Sequence, residues 1–187
     1  MKKTTLKEAQ NRKLRCLTGA AVCLAGALLL PFLTGQIPQV GSMLLPLHLP
    51  VLLCGMVCGW QYGFAVGFVA PILRFILFGM PPIYPTGTAM MFELAAYGAV
   101  AGLLYRLFAP KKGRVLFALI GAMLAGRLVW GVVMWLLAAF GTGVSFGLAI
   151  FFTQAFANAL PGIVLQFVVL PPVVYALKKA GYVFNGE

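Results

Sequence analysis

Residues 128 to 177 read LVWGVVMWLLAAFGTGVSFGLAIFFTQAFANALPGIVLQFVVLPPVVYAL, fifty positions without one charged side chain. A bilayer core about 30 Å thick takes roughly 20 helical residues, so this stretch holds two crossings and the turn between them. The rest of the chain agrees. Of 187 residues 62% are hydrophobic, and three are acidic, with no aspartate among them. The mean hydropathy is +1.00. Soluble domains carry only about half apolar residues. The solvent for most of this surface is lipid, and the fold class is an all-α integral membrane protein.

The hydrophobic runs divide into six predicted spans, at about 15–34, 44–58, 60–78, 88–108, 115–140 and 145–177. Pro161, Pro171 and Pro172 are expected to kink or end the last. Splitting 44–78 into two rests on Gly59 and Gly63, and charge parity supports it. Lys2, Lys3, Lys7, Arg12, Lys13 and Arg15 precede span one; Arg106, Lys111, Lys112 and Arg114 lie between spans four and five; Lys178 and Lys179 follow span six. Short cytoplasmic loops collect such residues, so an even number of crossings must separate each cluster from the next. Four and then two satisfy this. The outer loops at about 35–43, 79–87 and 141–144 contain no Lys or Arg. The expectation is a basic N-terminal segment 1–14, a compact six-helix membrane domain 15–179 and a tail 180–187, with both termini cytoplasmic.

Several function classes recede on composition. The net charge of +11 sits mostly in those three clusters, which fits anionic lipid headgroups and topology rather than nucleic acid. Residues 1–30 have a basic start and an apolar run but no small-x-small cleavage site, so they read as a retained first span. Cys16, Cys23, Cys54 and Cys58 fall in spans one and two. Cys54 and Cys58 share a helical face that could suit a metal, yet no second pair or nearby histidine completes a site, and packing is the expected role. His48 is the single histidine, Glu93 the single membrane-embedded carboxylate, and no phosphate loop of the Walker type occurs. Paired acid–base or nucleophilic catalysis lacks its second member. No enzyme activity, metal or cofactor is expected of this chain.

Three charges remain inside the spans: Arg74, Glu93 and Arg127. Each costs about 2.5–3.5 kcal/mol at a helix centre on insertion scales, so each calls for a protein-facing partner or a task. Arg74 and Glu93 flank an outer loop, GMPPIYPTG at 79–87, whose three prolines make it stiff, like the lid of a site. Met90, Glu93 and Tyr97 share one face of span four, and Met123, Arg127, Trp130 and Met134 one face of span five. Gln154, Asn158, Gly162 and Gln166 recur at four-residue steps along span six. The simpler reading has Glu93 paired with an arginine and the amides bonded between helices. That reading is preferred for Gln166, placed deeper toward the cytoplasm. For Glu93, Arg127 and Asn158 a ligand pocket is preferred, because two arginines against one glutamate leave a surplus cation. His48 fits loop packing and pocket lining equally. Span one carries a small-residue surface, including the step Ala21 to Ala25, and Gly121–Ala125 and Ala122–Gly126 repeat the pattern in span five.

The segments LPLHLPVLLCG (45–55), GWQYG (59–63), GFVAP (67–71), GMPP (79–82) and MFELAAYG (91–98) resemble the substrate-binding S components of energy-coupling factor transporters, over about residues 15–179. That family binds a water-soluble vitamin or precursor from outside and docks on a coupling membrane subunit carrying two ATPases. The resemblance implies an outward pocket contacted by Tyr84, Glu93, Tyr97, Arg127, Gln154 and Asn158, with Arg74 and His48 nearby. Arg127 would clamp a carboxylate or phosphate; Glu93 would orient Arg127 or accept a hydroxyl. Ala21 and Ala25 would face the coupling subunit. A pantothenate-like, pyridoxine-like or benzimidazole nucleoside ligand is compatible, in a bacterial plasma membrane. The alternatives are a non-transport assembly or shape-determination subunit, and a homo-oligomeric channel. Against the channel, the polar stripe fades toward the cytoplasmic ends.

Overall fold

The computed structural model describes residues 2–34, 43–109, 111, 113–140 and 146–185. Lys112 and most of the outer loops expected at 35–43 and 141–144 lie outside them. The described residues form seven α-helices and no strand: α1 (Lys2–Leu29), α2 (His48–Cys58), α3 (Trp60–Phe78), α4 (Thr88–Leu107), α5 (Arg114–Ala139), α6 (Leu148–Phe152) and α7 (Leu160–Lys179). A 3₁₀ turn, Leu30–Thr34, extends α1, and π turns at Ile83–Gly87 and Thr153–Ala157 lead into α4 and out of α6.

Five apolar stretches are long enough to cross a bilayer: Gln10–Leu33, Trp60–Phe78, Ile83–Leu107, Arg114–Ala139 and Leu148–Lys179. The sixth expected span is shorter in helix than the sequence suggested. α2 has 11 residues, a rise of about 16 Å, or roughly half a hydrocarbon core. Its break from α3 falls at Gly59, whose φ of +110° an L side chain rarely adopts. The last span was expected to kink or end at its three prolines, and they act differently. Pro171 and Pro172 lie inside α7 without ending it, and the helix continues to Lys179. Membrane helices tolerate such prolines where neighbours re-satisfy the freed carbonyls. Only Pro161 marks a boundary, in the first turn of α7, where its missing N–H has no intrahelical acceptor to lose.

α4 is the central helix, packed against α2, α3 and α5. Apolar burial adds little to association between helices in lipid, so close approach of small residues takes over. A Cβ on Gly63 would stand 2.6 Å from the Gly98 carbonyl oxygen and 2.7 Å from Gly55 Cα. One on Gly102 would stand 2.5 Å from the Trp60 nitrogen. Glycines from α2, α3 and α4 thus interlock backbone to backbone. α1 lies outside this knot against α2 and α3, leaving Ala21, Val22, Ala25 and Leu29 on its exposed side.

The C-terminal segment is more than a tail. The backbone N–H groups of Phe184 and Asn185 donate to Val57 O at 2.8 and 3.1 Å. Asn185 inserts its side-chain amide between α2 and α4, donating to Gly55 O at 3.2 Å and Gly102 O at 2.8 Å. Arg12 Nη2 donates to Phe184 O, tying α1 into the same closure.

Candidate functional site

The chemistry gathers where α2, α4 and α5 meet. Glu93 lies one turn into α4 and faces inward because Gly98 and Gly102, on the neighbouring strip, are locked to α2 and α3. Arg127 lies midway along α5 and donates from Nη1 to Glu93 Oε1 at 2.9 Å. His48 is the first residue of α2 and brings Nε2 to 3.5 Å from the same oxygen. That is ion-pair range, but neither ring nitrogen of His48 makes a hydrogen bond. The His48 ring meets Tyr97 edge to face, centroids 4.9 Å apart. Tyr97 in turn lies on Gly126, where a Cβ would stand 2.5 Å from its ring. His48, Glu93, Tyr97 and Arg127 are 2%, 2%, 1% and 6% exposed, so the cluster is closed from its surroundings.

The hydrogen-bonding inventory of this cluster is incomplete. Arg127 Nε and Nη2 have no partner, nor has Nε2 of Gln166, which is equally buried on α7. Buried polar groups are normally satisfied, and each orphan costs about 1–3 kcal/mol. His48, Arg127 and Gln166 thus all leave buried side-chain nitrogens unbonded in one small bundle. Gln166 stands twelve residues before Lys178, while Arg127 is thirteen after Arg114 and Glu93 thirteen before Arg106. At 1.5 Å per residue each lies roughly 18–20 Å from a basic helix end. α7 also packs on α2 and α5, and Gly162 abuts the Met43 and Leu44 backbone just before His48. Counting from the charged ends, rather than along the supposed span, would have raised Gln166 among the sequence candidates.

The other expected contacts lie elsewhere. Arg74 is buried apart from Glu93: its Nη1 donates to Leu28 O at 2.9 Å, and its guanidinium sits 5.7 Å from the ring centroids of both Phe32 and Phe78. A cation on a last-turn carbonyl caps α1 and complements its dipole. Tyr84 is exposed in the π turn before α4. Gln154 and Asn158 are exposed, whereas Gly162 and Gln166 are buried. The π turn at Thr153–Ala157 adds a residue to the helical repeat, and the four-residue stripe breaks there.

Further along α5, Trp130 stands 5.5 Å from Phe146 and 6.1 Å from Phe151, centroid to centroid, in an aromatic group. Beside it a groove of about 400 Å³ runs between α5 and α6, lined by Leu128, Gly131, Val132, Trp135, Phe146, Gly147, Leu148 and Phe151. It has no charged lining residue and is separate from the polar cluster. The four cysteines lie along the α1–α2 contact, Cys16, Cys54 and Cys58 buried and Cys23 packed against them. Among the described residues no group of three or more His, Cys, Asp or Glu could hold a metal ion.

One family model, described as the ECF transporter substrate-specific component, matches residues 15–174. No curated protein and no solved structure matches the chain.

Proposed function

Since the chain belongs to the ECF transporter substrate-specific component family, a family of substrate-binding transport subunits, we propose that it captures a water-soluble vitamin or vitamin precursor from outside the cell. The cluster of His48, Glu93, Tyr97 and Arg127 holds the cargo, with Gln166 at the same level. One observation carries this reading: buried, unpartnered N–H groups of Arg127 beside an unbonded His48 ring. A hydrated solute entering the site gives up water hydrogen bonds, and pre-placed donors replace them. Gln154, Asn158 and Tyr84 lie on the approach from outside, where the stiff 79–87 segment covers the outer end of α4.

The topology that fits is six crossings with both termini cytoplasmic, in a bacterial plasma membrane. α2 and the residues before it then make up the short second crossing, which keeps all three basic clusters on one side. Loaded protein docks through the exposed Ala21 and Ala25 side of α1 on a coupling transmembrane subunit. Two partner ATPases supply the energy for release inward, and this chain catalyses no reaction.

The test is mass spectrometry of small molecules released from gently purified protein, with co-purification of the coupling module scored in parallel. One stoichiometric vitamin-like compound that also raises the melting temperature is expected. An empty protein that no vitamin stabilises and that brings down no ATPase would sink the reading.

A further inference from the structure

We infer that the cargo carries a single carboxylate, and that this group seats on the free Nε–Nη2 edge of Arg127. The inference rests on the capture reading above and names the class of ligand. A guanidinium presents its donors as a rigid planar fork, and Nε with Nη2 forms the side-on edge that matches two carboxylate oxygens. Glu93 takes only Nη1, at 2.9 Å. The side-on edge is left whole: both nitrogens are buried and neither has a partner. A hydroxyl or lone carbonyl would satisfy one of these donors and leave its neighbour orphaned, whereas a carboxylate satisfies both.

Charge bounds the ligand further. Arg127 and Glu93 offset each other, and Arg74 is held apart by a carbonyl and two rings, so a monoanion adds a single negative charge at the site. A phosphate dianion would leave excess negative charge beside Glu93, in a medium where repulsion is screened far less than in water. Glu93 is a positioning residue here: held at Nη1, the guanidinium cannot rotate its side-on edge away. His48, with both ring nitrogens unbonded and Nε2 3.5 Å from the same Glu93 oxygen, buttresses that carboxylate and offers a donor to the ligand's neighbouring polar groups.

The experiment measures binding of matched pairs to the full-length protein in lipid nanodiscs by calorimetry: nicotinate and nicotinamide, pantothenate and panthenol, biotin and biotinamide, lipoate and lipoamide. Thiamine, pyridoxine and riboflavin serve as ligands without a carboxylate. One acid should bind, with its neutral counterpart about 100-fold weaker or worse. Arg127→Lys keeps a cation for Glu93, and with it the fold, but replaces the fork by a point charge. It should weaken the acid about tenfold or more. A neutral or cationic vitamin bound tightly overturns the carboxylate assignment and leaves vitamin capture standing. So does a protein that binds no acid yet co-purifies with the coupling module, or an Arg127→Lys variant of unchanged affinity. A protein that binds nothing and brings down no ATPase overturns both.

Discussion

Arg127 and Glu93 form a buried ion pair of 2.9 Å across α5 and α4, made through one guanidinium nitrogen of three. Removing one partner of such a pair strands the other charge, at a typical cost of about 3–5 kcal/mol. Glu93→Gln keeps an acceptor for Nη1 but withdraws the charge that fixes the guanidinium. It should lower the melting temperature and weaken ligand binding about tenfold or more, about 1.4 kcal/mol. Calorimetry on the folded variant checks this, and unchanged affinity would remove Glu93 from the site.

The glycine knot predicts a contrast within one bundle. A Cβ on Gly98 would run into the backbone carbonyl of Gly63, which cannot move without separating α3 from α4. A Cβ on Gly121 meets only the tip of Leu104, the far end of a flexible side chain. Gly98→Ala should cost at least the 1–3 kcal/mol usual for overpacking, roughly, and lower the yield of folded protein. Gly121→Ala should sit within about 0.5 kcal/mol of the parent. Thermal unfolding in detergent separates them, and equal effects would contradict the knot.

How far the sequence could go follows from which signals are local. The membrane class, the break at Gly59 and the inward faces of α4 and α5 were legible, because hydropathy and helical period report them directly. The family resemblance was legible in residues 45–98, and the match over 15–174 bears it out. The choice of arginine for Glu93 was not, because Arg74 and Arg127 are equivalent on a hydropathy plot and only tertiary packing sends one to Leu28 O. The stripe from Gln154 to Gln166 failed for a different reason: one π turn shifts the helical phase, and periodicity counted from residue numbers does not detect it. Asn185 carried no signal, since a lone asparagine two residues before Glu187 belongs to no periodic or hydropathic pattern.

Arg74 supplies the discriminating control for the site. Its contacts are Leu28 O and the Phe32 and Phe78 rings, so its substitution acts on how α1 ends against α3. Arg74→Met should cost about 2–4 kcal/mol from the lost charged hydrogen bond and cation–π contacts. Ligand affinity of the folded variant should stay within about twofold. A large drop in affinity with intact stability would place Arg74 in the pocket instead.

Asn185 closes one end of the bundle with two hydrogen bonds from one amide. Asn185→Ala withdraws the donor and should cost about 1–2 kcal/mol. Asn185→Asp should be worse, because a carboxylate would face the Gly55 and Gly102 oxygens it cannot donate to. The order parent, alanine, aspartate in melting temperature checks the closure. Aspartate as stable as alanine would mean that the side chain does not enter the bundle.

Docking and capture should separate on α1. Ala21 and Ala25 lie on its exposed side, away from the α2 and α3 contacts and from the His48–Glu93–Arg127 cluster. Small residues on a lipid-facing helix surface let a partner helix approach closely, and a bulky side chain holds it off. Ala21→Trp and Ala25→Trp should each cut recovery of the coupling module about tenfold or more while leaving ligand affinity within about twofold. Neither position has a buried neighbour to clash with, so the isolated protein should melt near the parent temperature. Pull-down of the ATPases and calorimetry on the same preparations read the two effects separately. Full recovery of the module by both variants would move the docking surface to another face of the bundle, and a parallel loss of ligand binding would mean that α1 shapes the pocket as well.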